Sequence, residues 1–459
     1  MRRREWIRWR FVKWLHASYS QGGAIGHFLA LRVTPVAWMV VGLLLLTVIM
    51  GGNFVLSAVI LLGALLGGVL MTSAIWAALR RGQVKVWRHL PRTGVVGQPL
   101  RYEVEVEVLK KRKLKEVRLL EVGDDPRPAL DTFYRVQEPG EEKRNAFDRV
   151  FIYYRWKWLV ERSGRWDDSE ASEPVDLVRG EPKKVTLEVT PKRRGVFAFY
   201  DLRLVLRDPL GLFQRCRKSV RQEKQEVLVL PEWYRLPGVV FRGSGELVSG
   251  GEASISQRGD GEELLGLRGY RPGDSRRQIH WKSWARTGSP VVKELEENRL
   301  SRCGLVLDTG LEESDEECLE EAVRVAASLV RGIEAGESEL EALFFESDSG
   351  AEVREKAAGW LEQLAPVEAV EAVNYTRLAR QIGQRAGGFQ AVVVVLTGWG
   401  ASRRRFLQRL AQMGVEVRAL AVLRDGQGEV PKGWPTEPEV VRLTSAEADV
   451  RRICQESLG

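Results

Sequence analysis

Residues 391–396 read AVVVVL, an unbroken apolar run with four consecutive valines. A short run of β-branched residues is typical of a strand buried on both faces, as in a parallel sheet. Around it, further apolar runs alternate with stretches of helical periodicity. Strands are predicted at 303–307, 340–345, 391–396 and 415–422, and helices at 319–333, 352–364, 375–386, 402–413 and 445–457. This alternation predicts a parallel sheet with helices on both faces.

Upstream of this region, Gly261 to Glu296 read GEELLGLRGYRPGDSRRQIHWKSWARTGSPVVKELE. The side chains of interest are Arg268, Tyr270, Asp274, Arg277, His280, Trp281, Lys282 and Arg286. The segment 271–274 predicts a turn, because Pro fixes φ and Gly permits a positive φ. Residues 275–286 predict a short helix or irregular turn, with Asp274 or Ser275 as its N-cap.

This motif resembles the bacterial domain-of-unknown-function family fifty-eight. The resemblance rests on Leu267-Arg268, Tyr270, Pro272-Gly273-Asp274, Arg277, Ile279-His280-Trp281-Lys282, Ala285-Arg286 and Val292-Lys293-Glu294, and upstream on Arg194-Gly195 and Asp208-Pro209-Leu210-Gly211-Leu212-Phe213. Two positions depart from the family pattern, since Leu264 stands where Phe is usual and Gly269 where an acid is common. The charge partner of Arg268 is therefore left open.

The resemblance implies a membrane-anchored protein whose last part is a von Willebrand factor A-like α/β domain. It also implies that the protein functions together with MoxR-type AAA ATPases and transglutaminase-like membrane proteins, as an adaptor in the assembly of other complexes. In such α/β domains the first strand ends in Asp-x-Ser-x-Ser, whose oxygens bind a divalent cation. This chain has Asp308, Thr309 and Glu312 there as candidate Mg²⁺ ligands, but Gly310 supplies no side-chain oxygen. We expect no cofactor.

Three interpretations of the motif compete. Its bases Arg268, Arg277, Lys282 and Arg286 can bind a carboxylate or phosphate through forked hydrogen bonds. His280 can act in acid–base catalysis with Asp274, as in a hydrolase, although no nucleophile is spaced with it in a known pattern. Alternatively, the arginines pair with Asp274, Glu262, Glu263 and Glu294 in an internal network that holds the motif against the last domain.

Residues 83–235 show apolar alternation, for example Tyr102, Val104, Val106 and Val108. This period of two predicts half-buried antiparallel strands in a β-sandwich and requires no long helix. An aromatic group at Phe151, Tyr153, Tyr154, Trp156, Trp158 and Trp166 is assigned to the sandwich core, with an exposed binding face as the alternative. The turn that begins at Asp208 is predicted to be structural.

Two uncharged runs, Val33–Met50 and Phe54–Leu79, predict a transmembrane helical hairpin. Seven Lys or Arg precede the first run and five follow the second as far as Arg92, so we expect a two-pass plasma-membrane protein with both termini in the cytoplasm. Basic and aromatic residues interleave in the first fifteen positions, with Trp6, Trp9 and Trp14. They suit either an anionic lipid surface or an ordinary basic flank.

The net charge of +8 does not indicate nucleic acid, because residues 1–92 alone carry +11, residues 93–300 carry +6 and residues 301–459 carry −9. The four cysteines have no zinc-binding spacing and suit a reducing compartment.

The predicted organisation is a basic, aromatic segment (1–32), a transmembrane α-hairpin (33–79), a β-sandwich (83–235), a linker with the motif (236–300) and a Rossmann-like, von Willebrand A-like α/β domain (301–459). We expect a non-enzymatic adaptor at the membrane; the alternative is a hydrolase that uses His280 with Asp274, or a metal at Asp308.

Overall fold

The computed structural model describes residues 3–50, 57–110, 113–123, 125–138, 140–164, 166, 171–220, 223–236, 263–271, 273–296, 301–311, 316–336, 338–355, 359–385, 389, 391–414, 416–425 and 438–456. The chain forms two compact units, Met1–Glu232 and Trp233–Gly459.

Three helices open the first unit: α1 (Arg3–Ala30), α2 (Pro35–Met50) and α3 (Ser57–Leu79). The 22 residues Ala58–Leu79 are long and apolar enough to cross a membrane, which agrees with the predicted apolar segment there. Helix α2 is apolar but has 16 residues, about 24 Å at about 1.5 Å per residue, which is shorter than a hydrocarbon core of about 30 Å. Its length therefore does not support the predicted first span, Val33–Met50.

A cluster of short helices packs against α1. They are α4 (Leu130–Arg135), α5 (Ala146–Phe151) and α6 (Tyr153–Ser163). Their shared core consists of Val12, Leu15, Phe133, Ile152, Trp156 and Leu159. The sequence pattern required no long helix here, but α6 has 11 residues and buries one face against α1 while it exposes the other. Of the aromatic group, only Trp166 joins the sheet core, where it stacks on Phe199 at 5.2 Å between ring centroids.

The described residues of the first unit also form ten strands: β1 (Val84–His89), β2 (Thr93–Val95), β3 (Leu100–Val108), β4 (Lys113–Glu121), β5 (Val175–Val178), β6 (Lys183–Val189), β7 (Gly195–Phe199), β8 (Leu202–Arg207), β9 (Gln214–Lys218) and β10 (Gln225–Leu230). Their sheets have the orders β1-β3-β6, β5-β4-β8-β9 and β2-β10-β7. All pairs are antiparallel except β2 with β10. Alternate residues of β3 are buried, as the period of two predicts, and the three sheets share one apolar core.

The second unit contains a two-stranded sheet of β11 (Glu263–Gly269) and β12 (Val291–Glu296), with the short helix α7 (Trp281–Thr287) between them. The remaining strands are β13 (Ser301–Leu307), β14 (Ser338–Ser347), β15 (Gly350–Glu355), β16 (Ala391–Leu396), β17 (Val417–Leu423) and β18 (Glu439–Arg442). The remaining helices are α8 (Glu316–Ala335), α9 (Trp360–Leu364), α10 (Tyr375–Arg385), α11 (Ala401–Gln412) and α12 (Ala446–Glu456).

These six strands form one mixed, mostly parallel sheet of order β15-β14-β13-β16-β17-β18, in which only β15 runs antiparallel to its neighbour. The predicted parallel sheet is thereby confirmed. Every residue of β16 is buried, because α8, α9 and α12 cover one face and α10 and α11 the other. The prediction that a helix begins near residue 352 was wrong, since α9 begins at Trp360. A turn with Gly350 at φ +109° reverses the chain instead, and residues 350–355 pair with β14.

Candidate partner-binding site

The motif forms an extended hairpin whose closing segment folds back on its own strands. Strands β11 and β12 pair antiparallel, with Arg268 opposite Val292. The Tyr270 amide donates to the Pro290 carbonyl at 2.9 Å, and the His280 amide donates to the Val291 carbonyl at 2.8 Å. Residues 270–271 and 273–290 are therefore held against the ends of the two strands. We call this segment the hairpin tip.

Asp274 is the charge partner of Arg268 that the sequence left open. The guanidinium donates twice to the carboxylate, from Nη1 to Oδ2 at 2.7 Å and from Nη2 to Oδ1 at 2.8 Å. The Arg271 amide also donates to Asp274 Oδ2, at 2.8 Å. The carboxylate, whose side chain is 2% exposed, thus ties the turn to β11. This geometry agrees with the internal-network interpretation for this one pair. Of the other acids in that interpretation, Glu262 lies outside the described residues, as do the side chains of Glu263 and Glu294.

His280, rather than Asp274 or Ser275, caps the helix of the motif. Its Nδ1 accepts a hydrogen bond from the Ser283 amide at 3.3 Å and lies 2.7 Å from the Ser283 hydroxyl oxygen. The Ser283 amide also donates to the His280 carbonyl at 3.0 Å, so the imidazole adds a second acceptor at the start of α7. Gly288, at φ +72°, ends the helix. In these contacts, His280 and Asp274 stabilise the backbone of the tip.

The tip presents bases and an indole to solvent. Arg271, Arg276, Arg277, Lys282 and Arg286 are exposed, and none of them forms an ion pair among the side chains that the structure describes. We call these five residues the basic tip. Trp281 is 63% exposed and stacks on Trp284 with ring centroids 5.2 Å apart. Lys282 and Arg286 are four residues apart on α7, where like charges repel.

A second polar cluster lies at the carboxyl edge of the large sheet, around Asp308. Its Oδ2 accepts from Arg403 Nε at 2.6 Å, the Thr397 hydroxyl at 2.9 Å and the Thr397 amide at 3.1 Å. Its Oδ1 accepts from the Tyr375 hydroxyl at 3.0 Å and the Gly310 amide at 3.1 Å. The side chains of Arg403 and Asp308 are 0% and 2% exposed. An internal guanidinium therefore neutralises the acid at the end of the first strand.

This donor set does not fit an open cation site. The five donors surround both oxygens of Asp308, and Thr309 donates its hydroxyl to the Glu346 carbonyl at 2.7 Å. A divalent cation would have to displace Arg403 to reach the carboxylate. Glu312, the third candidate ligand, lies outside the described residues. Sequence reasoning missed Arg403 because it stands in the run Arg403-Arg404-Arg405, which has the composition of an exposed helix face.

The turn that begins at Asp208 holds the start of α2. Asp208 accepts hydrogen bonds from the amides of Leu210 at 3.0 Å and Phe213 at 2.7 Å. The buried Thr34 hydroxyl in turn lies within hydrogen-bonding distance of the Gly211 carbonyl, at 2.7 Å, and the Thr34 amide donates to the Leu212 carbonyl at 3.0 Å. The turn therefore joins the β-sheets of the first unit to the apolar helices.

Two solved structures show a weak similarity to this chain. A β-glucosidase from Listeria innocua in complex with gluconolactone is 17% identical, over 32% of this chain and 16% of its own, with a TM-score of 0.15. An exo-β-N-acetylglucosaminidase from Vibrio harveyi in complex with N-acetylglucosamine is 8% identical, over 80% of this chain and 59% of its own, with a TM-score of 0.15. The chain spans less than two thirds of either enzyme, and neither likeness carries an argument.

Comparison with curated protein sequences gives no significant match. A family model described as "Protein of unknown function DUF58" matches residues 266–432. The match begins within β11, includes the hairpin tip and extends past β17 of the large sheet. It supports the resemblance drawn from the motif over these residues.

Proposed function

We propose that this protein is a membrane-anchored adaptor whose basic tip binds an acidic segment of a partner protein. The observation that carries the proposal is the contrast within the motif. Arg268, Asp274 and His280 fix the backbone, while five bases and Trp281 face solvent. A rigid aromatic anchor surrounded by bases is well suited to a carboxylate-rich surface, because arginine forms paired hydrogen bonds with carboxylates and indoles are frequent interface anchors.

The same geometry favours binding over hydrolysis. A general base must be free to accept a proton from a nucleophile, whereas His280 Nδ1 accepts from the helix it caps. Asp274, its partner in the hydrolase alternative, receives the Arg268 guanidinium.

For the anchor, we propose the two-pass arrangement with both termini in the cytoplasm and α2 beside α3. Two features support it. The bases precede the first apolar segment and follow the second, so a hairpin places them on one side of the membrane. A Cβ placed on Gly63 would lie 2.9 Å from Thr47 Oγ1, so the two helices are in close contact. For the partner, the resemblance alone suggests a MoxR-type AAA ATPase and a transglutaminase-like membrane protein. The α/β unit would then serve, like a von Willebrand A-like domain, as a protein-binding scaffold.

Charge reversal at the tip tests this function. We expect Arg277→Glu/Arg286→Glu to abolish crosslinking of the full chain to its partner in native membranes, and the wild-type complex to weaken as salt rises. Arg380→Glu/Arg405→Glu is the matched control, since it makes the same charge change at exposed positions of α10 and α11. Equal loss in both variants, or retention in the tip variant, would refute the proposal. If the protein had a hydrolytic activity that His280→Ala lost and Ser283→Ala kept, that result would favour the enzyme instead.

A further inference from the structure

An arginine-lined cavity of about 300 Å³ lies at the end of the apolar helices. Arg32, just after α1, and Arg215, on β9, contribute its bases. The cavity is open on the side of α3 because the residues there have small side chains, Ala74, Ala77 and Ala78. Phe213 forms an apolar wall. The cavity thus combines two guanidinium groups with an apolar floor, beside the helix that is long enough to cross a membrane.

Among the described residues, the charged groups that act on Arg215 at this cavity are all positive. Arg81 and Arg217 lie close enough to Arg215 to act on it electrostatically, as Arg32 does. Burial and these three neighbours lower the pKa of Arg215. Among the residues that the structure describes, none of the four arginines forms an ion pair with an acid. Four clustered cations without a counter-charge favour the binding of an anion.

The position of Arg215 also differs from that of the basic residues that ordinarily flank a membrane helix. Flanking bases of a membrane helix extend into water, but Arg215 comes from a strand far along the chain and donates through Nη1 to the carbonyls of Ala78 and Arg80. The carboxyl end of α3 carries partial negative charge, which favours a cation there. On the other side, the Arg32 guanidinium lies 3.7 Å from the centroid of the Phe28 ring. Both bases are thereby held at the cavity.

We propose that this cavity binds the phosphodiester headgroup of an anionic membrane lipid, with Arg32 and Arg215 contacting the phosphate and the alanine floor receiving the glycerol and upper acyl chain. The inference rests on the membrane anchoring proposed above. Basic pockets at the ends of membrane helices are suited to such headgroups, and arginine pairs with phosphate through forked hydrogen bonds.

The test uses the full chain in detergent, titrated with phosphatidylglycerol, phosphatidylcholine or inorganic phosphate while thermal unfolding is followed. We expect phosphatidylglycerol to raise the Tm, and Arg32→Gln/Arg215→Gln to weaken its binding at least tenfold. The control Arg179→Gln/Lys183→Gln removes two exposed bases elsewhere in the unit and should bind as the wild type does. Ala74→Leu fills the cavity, keeps all charges and should also weaken binding.

An equal response to phosphatidylcholine would overturn the inference, as would unchanged binding in Ala74→Leu. Inorganic phosphate that raises the Tm as much as the lipid would overturn the lipid assignment in favour of a free anion. Membrane fractionation separates this inference from the anchoring. A chain that remains in the membrane without selectivity for phosphatidylglycerol refutes the headgroup site alone, and a chain that is not in the membrane refutes the anchor.

Discussion

Asp308 and Arg403 show how one buried pair decides the chemistry of a sheet edge. An aspartate at the end of the first strand of an α/β sheet commonly faces a ligand or metal. Here it receives five protein donors, one of them a guanidinium with no exposed surface. The position of Asp308 could be predicted from sequence, because it follows the apolar run 303–307. Its partner could not, because Arg403 lies 95 residues further along and only folding brings the two together.

We expect Arg403→Met to destabilise the second unit by about 3–5 kcal/mol, since a buried carboxylate then lacks its cation. The double variant Asp308→Asn/Arg403→Met should recover most of this loss, because no charge remains buried. Local stability is measured by amide hydrogen exchange in β13 and β16. We also expect EDTA to leave the exchange of the wild type unchanged. Faster exchange after chelation would contradict the assignment of Arg403 as the cation of this edge.

Asp201 gives the first unit a defined response to acid. Burial alone would raise the pKa of this carboxyl, but hydrogen bonds from Arg203 (2.8 Å) and Lys218 (3.0 Å) outweigh burial and lower it. The folded state therefore binds fewer protons than the unfolded state, whose Asp pKa is about 3.9. The stabilisation is present above that pH and is lost as pH falls through the lower, folded pKa.

Accordingly, we expect the stability of Asp201→Asn to fall less than that of the wild type as the pH is lowered. The measurement is the urea midpoint of unfolding between about pH 5 and pH 3. Nearby Glu121 has the opposite sign, because burial, chiefly, raises its pKa. Its own contribution falls as pH rises, and because the Asp201 charge also raises the Glu121 pKa, Asp201→Asn reduces this opposing contribution as well. An unchanged slope in Asp201→Asn would show that Asp201 does not control the acid response.

At the scale of elements, periodicity predicted those whose burial follows a simple pattern. The run AVVVVL became β16, and the alternating residues 100–108 became β3. Periodicity did not predict β15, because the chain reversal at Gly350 depends on a single positive φ. It did not predict α6 either, because the apolar face of α6 packs on α1, which is far away in sequence. In the motif, the turn and the short helix were predicted, but the roles of Asp274 and His280 depended on the return of β12 beside β11.

The Asp208 turn is the element that couples the apolar helices to the sheets. Asp208→Ala removes the acceptor of two amides, which costs about 1–3 kcal/mol for each amide left buried without a partner. We expect faster amide exchange in residues 208–214 and, through Thr34, at the start of α2. Thr34→Val should loosen the start of α2 alone. Asp176→Ala, at an exposed acid of β5, is the control; similar exchange in all three variants would exclude a coupling role.

At the scale of the whole molecule, each unit has its own apolar core, and among the described residues the first unit draws part of its core from the N-terminal helix. The cores of the second unit draw on residues 303–454 and on Trp233, Tyr234 and Leu236. The helical cluster of the first unit instead needs Val12 and Leu15 to cover Phe133 and Trp156. The sequence predicted the order of these regions, but the packing of α1 on α4 to α6 is a long-range contact that no local pattern encodes.

This difference predicts opposite behaviour for two fragments. Residues 233–459 should be monomeric and cooperatively folded, whereas residues 83–232 should self-associate and bind a hydrophobic dye, because removal of α1 exposes Phe133, Trp156 and Leu159. Size-exclusion chromatography and dye fluorescence measure both. Joining residues 3–30 to the start of the 83–232 fragment should reduce dye binding, and Val12→Ser/Leu15→Ser in the joined chain should restore it. A monomeric 83–232 fragment without dye binding would mean that α1 is dispensable for the first unit.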